Sequence, residues 1–153
     1  MANAENGSLQ LSKAAAERHV EVLENYLTQL VRHAEATRRA VRAWGLEVLC
    51  LNPEEYSSSV TAVLLPAGSN ADDLRKVILD QFNMSLGNGL GRLQGKVFRI
   101  GHLGDFNDLM LAGTLSGVEM GLALTGVPHA KGGVAAALDH LTQCRQQSKG
   151  TEA

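Results

Sequence analysis

Helical periodicity dominates the first third of the chain. Apolar side chains recur every three or four residues over 12–44, which is the spacing of one face of an α-helix. Ser12 can serve as an N-cap, and Gly45 can end the helix. The pattern predicts a long amphipathic N-terminal helix over 12–44, preceded by a polar segment, 1–11, that we expect to be disordered. The apolar stripe consists of Val20, Leu23, Leu27, Leu30, Val31, Ala34, Val41 and Trp44.

Shorter apolar runs in the rest of the chain have the length of β-strands. Residues 46–51, 60–65 and 97–102 are each rich in Val, Leu, Ile or Phe and are bounded by turn residues. Residues 84–86 form a fourth candidate, a short edge strand. These runs predict a small sheet of three or four strands.

Three further helical patterns alternate with the strands. One covers about 71–82 with Ser69 or Asn70 as its cap, the next begins after Asn107, and the last covers about 133–146. The resulting order of elements predicts an α+β fold, with a mostly antiparallel sheet and helices packed on one face. A length of 153 residues supports one domain. We place it at 12–147, followed by a disordered tail, 148–153.

Composition excludes several classes of function. The net charge is −2 and there are only six aromatic residues, which argues against nucleic-acid binding and against an anionic membrane surface. Cys50 and Cys144 lack metal-ligand spacing and indicate a reducing compartment. Because no secretory signal is visible at the N-terminus, we expect a cytoplasmic protein. The five histidines also show no metal-ligand spacing, so no metal site is predicted: His19, His33, His102, His129 and His140.

One apolar segment imitates a membrane helix. Residues 109–127 contain Gly113, Gly117 and Gly121 at intervals of four, a pattern that also occurs at helix contacts in membranes. However, Glu119 lies within the run, which is barely long enough to span a bilayer. We therefore predict a helix of a soluble domain, with its glycine face close against the sheet.

The strand over 97–102 contains one charged residue among apolar ones. Arg99 stands between Phe98 and Ile100, where an unpaired buried charge would be costly. Gly101 and Gly104 follow and allow other groups to approach the backbone. A guanidinium fork at a glycine-lined strand end is suited to binding a carboxylate. Arg99 is therefore the candidate ligand-binding residue.

A purely structural alternative for Arg99 is equally simple. Asp105 and Asp108 lie close in sequence, and either carboxylate can pair with Arg99 inside the protein. On spacing alone this internal ion pair is the favoured interpretation, because structural ion pairs also place arginines in apolar strands. His102 lies three residues after Arg99, so strand alternation places its side chain on the opposite face. We interpret His102 as structural or loop-lining.

A wider stretch of sequence resembles a known family. The chain from about Ala34 to Leu141 resembles the C-terminal small domain of the class V aminotransferases, and within them the serine–glyoxylate and alanine–glyoxylate enzymes. In that family the arginine of the RIG strand binds the α-carboxylate of the substrate, which assigns that role to Arg99 and reverses the preference set by spacing. The resembling segments are AEATRRAVRAWGLEVL (34–49), GLGRLQGKVFRIGHLGDFND (89–108), LAGTLSGVEMGLALTGVPH (111–129) and GGVAAALDHL (132–141).

The resemblance implies the cofactor pyridoxal phosphate, but the parts that hold it in the family are missing. The Schiff-base lysine belongs to a large domain that has no counterpart in this sequence. Lys131, in the segment HAKGG, imitates a Lys-Gly cofactor site, yet we interpret it as a solvated loop lysine. The glycines over 87–95 match neither a phosphate-binding P-loop nor a dinucleotide motif. We therefore expect no stable cofactor binding by this chain alone, and no catalytic residue.

Two functions remain open at this point. The first is the substrate-carboxylate-binding domain of a transaminase, inactive alone, that takes a small amino or keto acid and works with a separate cofactor domain. The second is a non-catalytic module whose N-terminal amphipathic helix binds a partner or a second copy. We also expect the stripe of Val20, Leu23, Leu27 and Leu30 to cover apolar surface that a cofactor domain would otherwise contact.

Overall fold

A computed structural model describes the backbone of residues 2–150 and the side chains of residues 12–148. The first helix, α1, spans Ala2–Ala43, so it begins well before the predicted start, and Ser12 is not its N-cap. The disorder predicted for 1–11 and 148–153 falls mainly outside the described side chains and stays a prediction.

In the part of the chain that the structure describes, four strands and three further α-helices follow α1. The helices agree with the predicted ones to within a few residues, because their caps and apolar periodicity were clear in the sequence. Strand β1 is shorter than the predicted strand over 46–51. The edge strand predicted at 84–86 is found at 87–88 instead, as β3. The elements are β1 Glu47–Val48, β2 Val60–Leu64, α2 Ala71–Phe82, β3 Gly87–Asn88, β4 Val97–Gly101, α3 Asp108–Leu124 and α4 Gly133–Gly150.

The strands form one sheet in the order β1-β2-β4-β3. Every neighbouring pair is antiparallel. Strand β4 lies inside the sheet, with β2 and β3 on its two sides. Its central residue, Arg99, is opposite Ala62 of β2 and opposite Gly87 of β3. The predicted α+β class with a small antiparallel sheet is confirmed.

The core lies between one face of the sheet and the helices. Val63, Phe98 and Ile100 point to this side and are buried in a cluster with Trp44 of the α1–β1 turn and Ile78 of α2. The remaining members of the cluster come largely from α1, α3 and α4. Because side chains alternate along a strand, Arg99 belongs to the opposite face.

Asparagine side chains fix the starts of α2 and α3. Asn70 accepts a hydrogen bond from Asp72 N at 2.9 Å, as expected of an N-cap. Asn107 accepts two, from Leu109 N at 3.0 Å and from Met110 N at 2.9 Å. The cap at Asn107 was predicted from the sequence, and Asn70 was one of the two residues predicted as the cap of α2.

The glycine face of α3 packs against α2 and the segment after it, not against the sheet as we predicted. A Cβ at Gly121 would lie 2.4 Å from Ile78 Cγ1, and one at Gly117 would lie 2.7 Å from Met84 Cε. Glycine at these positions lets the two helices approach closely. Within the described residues, no helix has the length and apolarity needed to cross a membrane.

The apolar stripe of α1 is divided into two parts. Leu30, Ala34, Val41 and Trp44 are buried in the domain. Val20, Leu23, Leu27 and Val31 are 54–60% exposed. The expectation that the first part of the stripe covers apolar surface is therefore wrong for Val20, Leu23 and Leu27, because α1 extends beyond the elements that would pack on it.

Candidate functional site: an arginine on the open face of the sheet

Arg99 lies in the middle of the sheet, on the face away from the helices. Its neighbours across β2 and β3 are Ala62 and Gly87, both small. The side chain is half-buried. Small neighbours on both sides leave room for a long side chain to lie flat and for a ligand to reach its end.

Backbone atoms of β3 hold the Arg99 side chain in place. Its Nε donates a hydrogen bond to the carbonyl oxygen of Asn88 at 2.9 Å. A Cβ at Gly87 would lie 3.0 Å from Arg99 Cβ and 3.1 Å from its Nε. The absence of a side chain at Gly87 therefore allows the stem of Arg99 to cross this strand.

The terminal nitrogens of Arg99 are not used inside the domain. Among residues 12–148, Arg99 makes no ion pair, and only its Nε makes a side-chain hydrogen bond. Asp108 pairs with other residues, and Asp105 is exposed and forms no ion pair with any residue of 12–148. The alternative of an internal ion pair to Asp105 or Asp108 is therefore wrong. The guanidinium fork remains available for a bidentate acceptor.

The two glycines that we expected to clear space for Arg99, Gly101 and Gly104, do not lie against its side chain. No atom lies within 4 Å of a Cβ built on Gly101 or on Gly104. Gly104 has a φ of +90°, which favours glycine for its backbone conformation. The glycine that contacts the Arg99 side chain is Gly87, which the sequence showed only as one of the glycines over 87–95.

His102 is buried on the helix side of the sheet, as its spacing from Arg99 predicted. Its Nε2 lies 3.0 Å from Thr61 Oγ1. Burial, together with the nearby charges of Arg38 and His33, lowers the pKa of His102 to about 4. The imidazole is therefore neutral at pH 7. Its side chain faces away from Arg99 and is buried beside Thr61, in agreement with its interpretation as a structural residue.

An ion-pair cluster at the start of α3 was not anticipated. One oxygen of Asp108 lies 2.7 Å from Arg32 Nη2 and 2.8 Å from His33 Nε2, and the other lies 2.6 Å from Arg145 Nε. Partial burial raises the pKa of Asp108, but the hydrogen bonds from His33, Arg145 and Arg32 outweigh it and lower the pKa to about 2. Because these partners are distant in sequence, the sequence suggested Asp108 only as a possible partner of Arg99. The cluster joins α1, α3 and α4.

The loop that contains Lys131 is organised by Glu119. One carboxylate oxygen accepts a hydrogen bond from Gly132 N at 3.1 Å. The other accepts from Val134 N at 3.2 Å and from Trp44 Nε1 at 2.8 Å. Burial raises the pKa of Glu119, but these hydrogen bonds lower it below its usual value overall.

The residues around Lys131 do not fit a pyridoxal-phosphate site. The backbone N–H groups at the start of α4, which would suit a phosphate, already bind a carboxylate. That negative charge would also repel a phosphate. Lys131 itself is exposed, whereas a Schiff-base lysine needs a desolvated setting.

Metal chemistry has no obvious location in the described structure. Among residues 12–148, no group of three or more His, Cys, Asp or Glu side chains is placed to hold a metal ion. Cys50 and Cys144 are both free thiols. Arg99 therefore remains the residue whose surroundings are best suited to a ligand.

Comparison with known proteins identifies close relatives in sequence. No family model matches the chain. The serine–glyoxylate aminotransferase of Methylorubrum extorquens is 46% identical over 124 residues, which is 80% of this chain and 31% of that protein. The enzyme of the same name from Arabidopsis thaliana is 46% identical over 122 residues, 79% of this chain and 30% of that protein. The chain thus spans just under a third of the length of these relatives.

Solved structures share the fold. Pyridoxamine–pyruvate aminotransferase from Mesorhizobium loti superimposes with a TM-score of 0.71 at 28% sequence identity, covering 76% of this chain and 30% of that one. The matched part again corresponds to about a third of a longer protein. The arrangement of helices around the four-stranded sheet therefore occurs as one part of a larger enzyme.

Proposed function

Because the chain belongs to the class V aminotransferases, the family of the serine–glyoxylate and alanine–glyoxylate enzymes, we propose that it is the substrate-carboxylate-binding part of a pyridoxal-phosphate-dependent transaminase. It corresponds to the C-terminal part of its relatives. Its ligand is the carboxylate of a small amino or keto acid, and Arg99 binds it.

One observation carries this proposal. Arg99 offers a guanidinium fork on the open face of the sheet, with its Nε fixed by Asn88 and no carboxylate of residues 12–148 paired to it. An arginine that served only the fold would be expected to have an internal acidic partner, because a half-buried charge without one is costly. The free fork supports a role in binding an external anion.

The chemical contribution of this chain is positioning. A planar guanidinium binds a carboxylate through two parallel hydrogen bonds and so fixes its orientation as well as its position. Since Asn88 and the bare backbone of Gly87 hold the stem, little rotamer freedom is lost when the ligand binds. The Schiff-base lysine and the phosphate-binding groups would come from a separate cofactor domain.

The first prediction concerns the cofactor. The isolated chain is expected to form no stoichiometric internal aldimine with pyridoxal phosphate, because Lys131 is exposed and Glu119 occupies the nearby helix start. Absorbance titration followed by borohydride trapping and peptide mapping measures this directly. A Lys131→Arg variant is the matched control and should label to the same low extent as the native chain. Stoichiometric labelling confined to Lys131 would show that our interpretation of the loop is wrong.

The second prediction concerns Arg99 itself. When the chain is combined with the cofactor domain of a serine–glyoxylate aminotransferase, Arg99→Lys should raise KM for the amino and keto acids by roughly 10- to 100-fold, because a charged hydrogen bond worth about 1.5–3 kcal/mol is lost. Folding should barely change, since Arg99 forms no ion pair with any residue whose side chain the structure describes. Steady-state kinetics and thermal unfolding measure the two effects.

Arg92 provides the control for this experiment. It is exposed and lies in the segment before β4, so Arg92→Lys should leave both KM and stability unchanged. If Arg99→Lys instead unfolds the domain while the folded remainder keeps its native KM, Arg99 is a structural residue and the proposed site is wrong.

A further inference from the structure

A continuous apolar surface remains uncovered on α1. Val20, Leu23, Leu27 and Val31 are 54–60% exposed, although they follow the same three-and-four spacing as the buried residues after them. Spacing of this kind forms the seam between paired helices. The apolar face that packs in the domain core therefore continues along α1 as a solvent-exposed face. We call these four residues the exposed stripe.

The exposed stripe borders a groove between α1 and α4. The groove has a volume of about 520 Å³, and Leu27 and Val31 form its wall on α1 while His140, Cys144 and Ser148 come from α4. Its apolar wall on α1 can receive side chains that an amphipathic helix places at intervals of three and four. The chain therefore carries both a helix with an apolar stripe and an open groove beside it.

Charge along α1 is unevenly distributed. Residues 12–27 contain two basic and three acidic residues, for a net charge of −1, whereas residues 28–43 contain four basic and one acidic residue, for a net charge of +3. In the second half, Arg38, Arg39 and Arg42 all lie within 3.5 Å of the single carboxylate of Glu35. That cluster has an excess of two positive charges, which further carboxylates would reduce.

We propose that the exposed stripe and the groove beside it bind a second copy of this chain, with the two α1 helices antiparallel. In that arrangement the acidic first half of one α1 lies along the basic second half of the other, whereas a parallel pair would place like charges together. The two-fold axis passes near Leu27. Leu23 of each copy then meets Val31 of its partner, and Glu17 and Glu21 are the acidic residues that lie nearest the partner's arginine cluster.

Sedimentation velocity tests whether the surface is used. The native full-length chain should shift from monomer to dimer as its concentration rises from micromolar to millimolar. Leu23→Glu and Leu27→Glu should each abolish the dimer, because both place a charge in the contact. Leu51→Glu is the matched control: Leu51 is 88% exposed outside the stripe, so this variant should dimerise like the native chain. A native chain that stays monomeric throughout, or a dimer that both stripe variants retain, would overturn the proposal.

Cysteine cross-linking tests the orientation. In a background with Cys50→Ser and Cys144→Ser, Leu27→Cys should form a disulfide-linked dimer under mild oxidation. Leu23→Cys should link to Val31→Cys when the two variants are mixed, and neither should link efficiently to itself. Efficient self-linking of Leu23→Cys and of Val31→Cys would indicate a parallel pair and contradict the proposal. If the exposed stripe is buried only after a cofactor domain is added, the surface binds that domain and the proposal is wrong.

Discussion

Asp108→Asn is expected to destabilise the domain by about 2–4 kcal/mol. Asp108 is the shared acceptor for Arg32, His33 and Arg145, and its replacement weakens the hydrogen bond to the buried His33 and leaves the mostly buried Arg32 without its anion. Breaking a buried pair by removing one partner costs about 3–5 kcal/mol, and the partial exposure of this cluster reduces that figure. Urea unfolding followed by circular dichroism measures the change.

A carboxylate three residues away serves as the control. Asp105 is exposed and forms no ion pair within the described residues, so Asp105→Asn should change stability by less than about 0.5 kcal/mol. Equal effects of the two substitutions would mean that the cluster around Asp108 contributes nothing specific.

The same cluster makes stability depend on pH. The pKa of Asp108 is lowered to about 2 in the folded state, below that of an ordinary aspartate. A lowered pKa stabilises the fold fully above the unfolded-state value of about 4, and this stabilisation is lost as the pH falls toward 2. The difference in stability between the native chain and Asp108→Asn should therefore shrink between pH 4 and pH 2. A difference that stays constant over this range would contradict the assignment.

Gly133→Ala is expected to destabilise the domain by about 1–3 kcal/mol, the usual cost of overpacking a core. A Cβ at Gly133 would lie 2.1 Å from Trp44 Nε1 and 2.4 Å from its Cε2. The indole cannot move aside easily, because it is fully buried and donates to Glu119 at 2.8 Å. Thermal unfolding measures the loss, and near-ultraviolet circular dichroism should report a changed tryptophan environment.

Gly113→Ala is the matched control for this substitution. Gly113 lies on α3, and no atom is within 4 Å of a Cβ placed there. Since alanine favours a helix over glycine by about 1 kcal/mol, Gly113→Ala should stabilise the domain. If both substitutions stabilise it, the close approach at Trp44 is not a constraint on the fold.

Local features of this fold could be predicted because their causes are local. The cap at Asn107, the apolar periodicity of α2 and the strand around Phe98 depend on residues within a few positions of one another, and all three are confirmed. The displaced edge strand is a different case. Gly87 and Asn88 have low strand propensity, so their residue types do not predict a strand. They form β3 by pairing with Arg99 and Phe98 on the side of β4 that β2 does not occupy.

The contacts that organise the site could not be predicted, because they join distant parts of the chain. Glu119 was noted only as a charge in an apolar run, although it holds Trp44 and the start of α4. Gly87 was seen only as part of a loop, although it gives Arg99 its room. Neither role has a signal in residue spacing. The role of Arg99 was inferred from a resemblance in sequence to a known family. That its terminal guanidinium nitrogens have no partner among residues 12–148 could be seen only in the structure.

The pairing of the first helix with the last one constrains how the domain can assemble during synthesis. Trp44, at the end of α1, packs against Gly133, and Arg32 is joined through Asp108 to Arg145 of α4. A ribosome therefore releases α1 long before its partners exist, and its apolar face stays open while some ninety further residues are added. Transiently exposed apolar surface of this kind is prone to aggregation and is what chaperones protect, so α1 is expected to need such protection until α4 has been made.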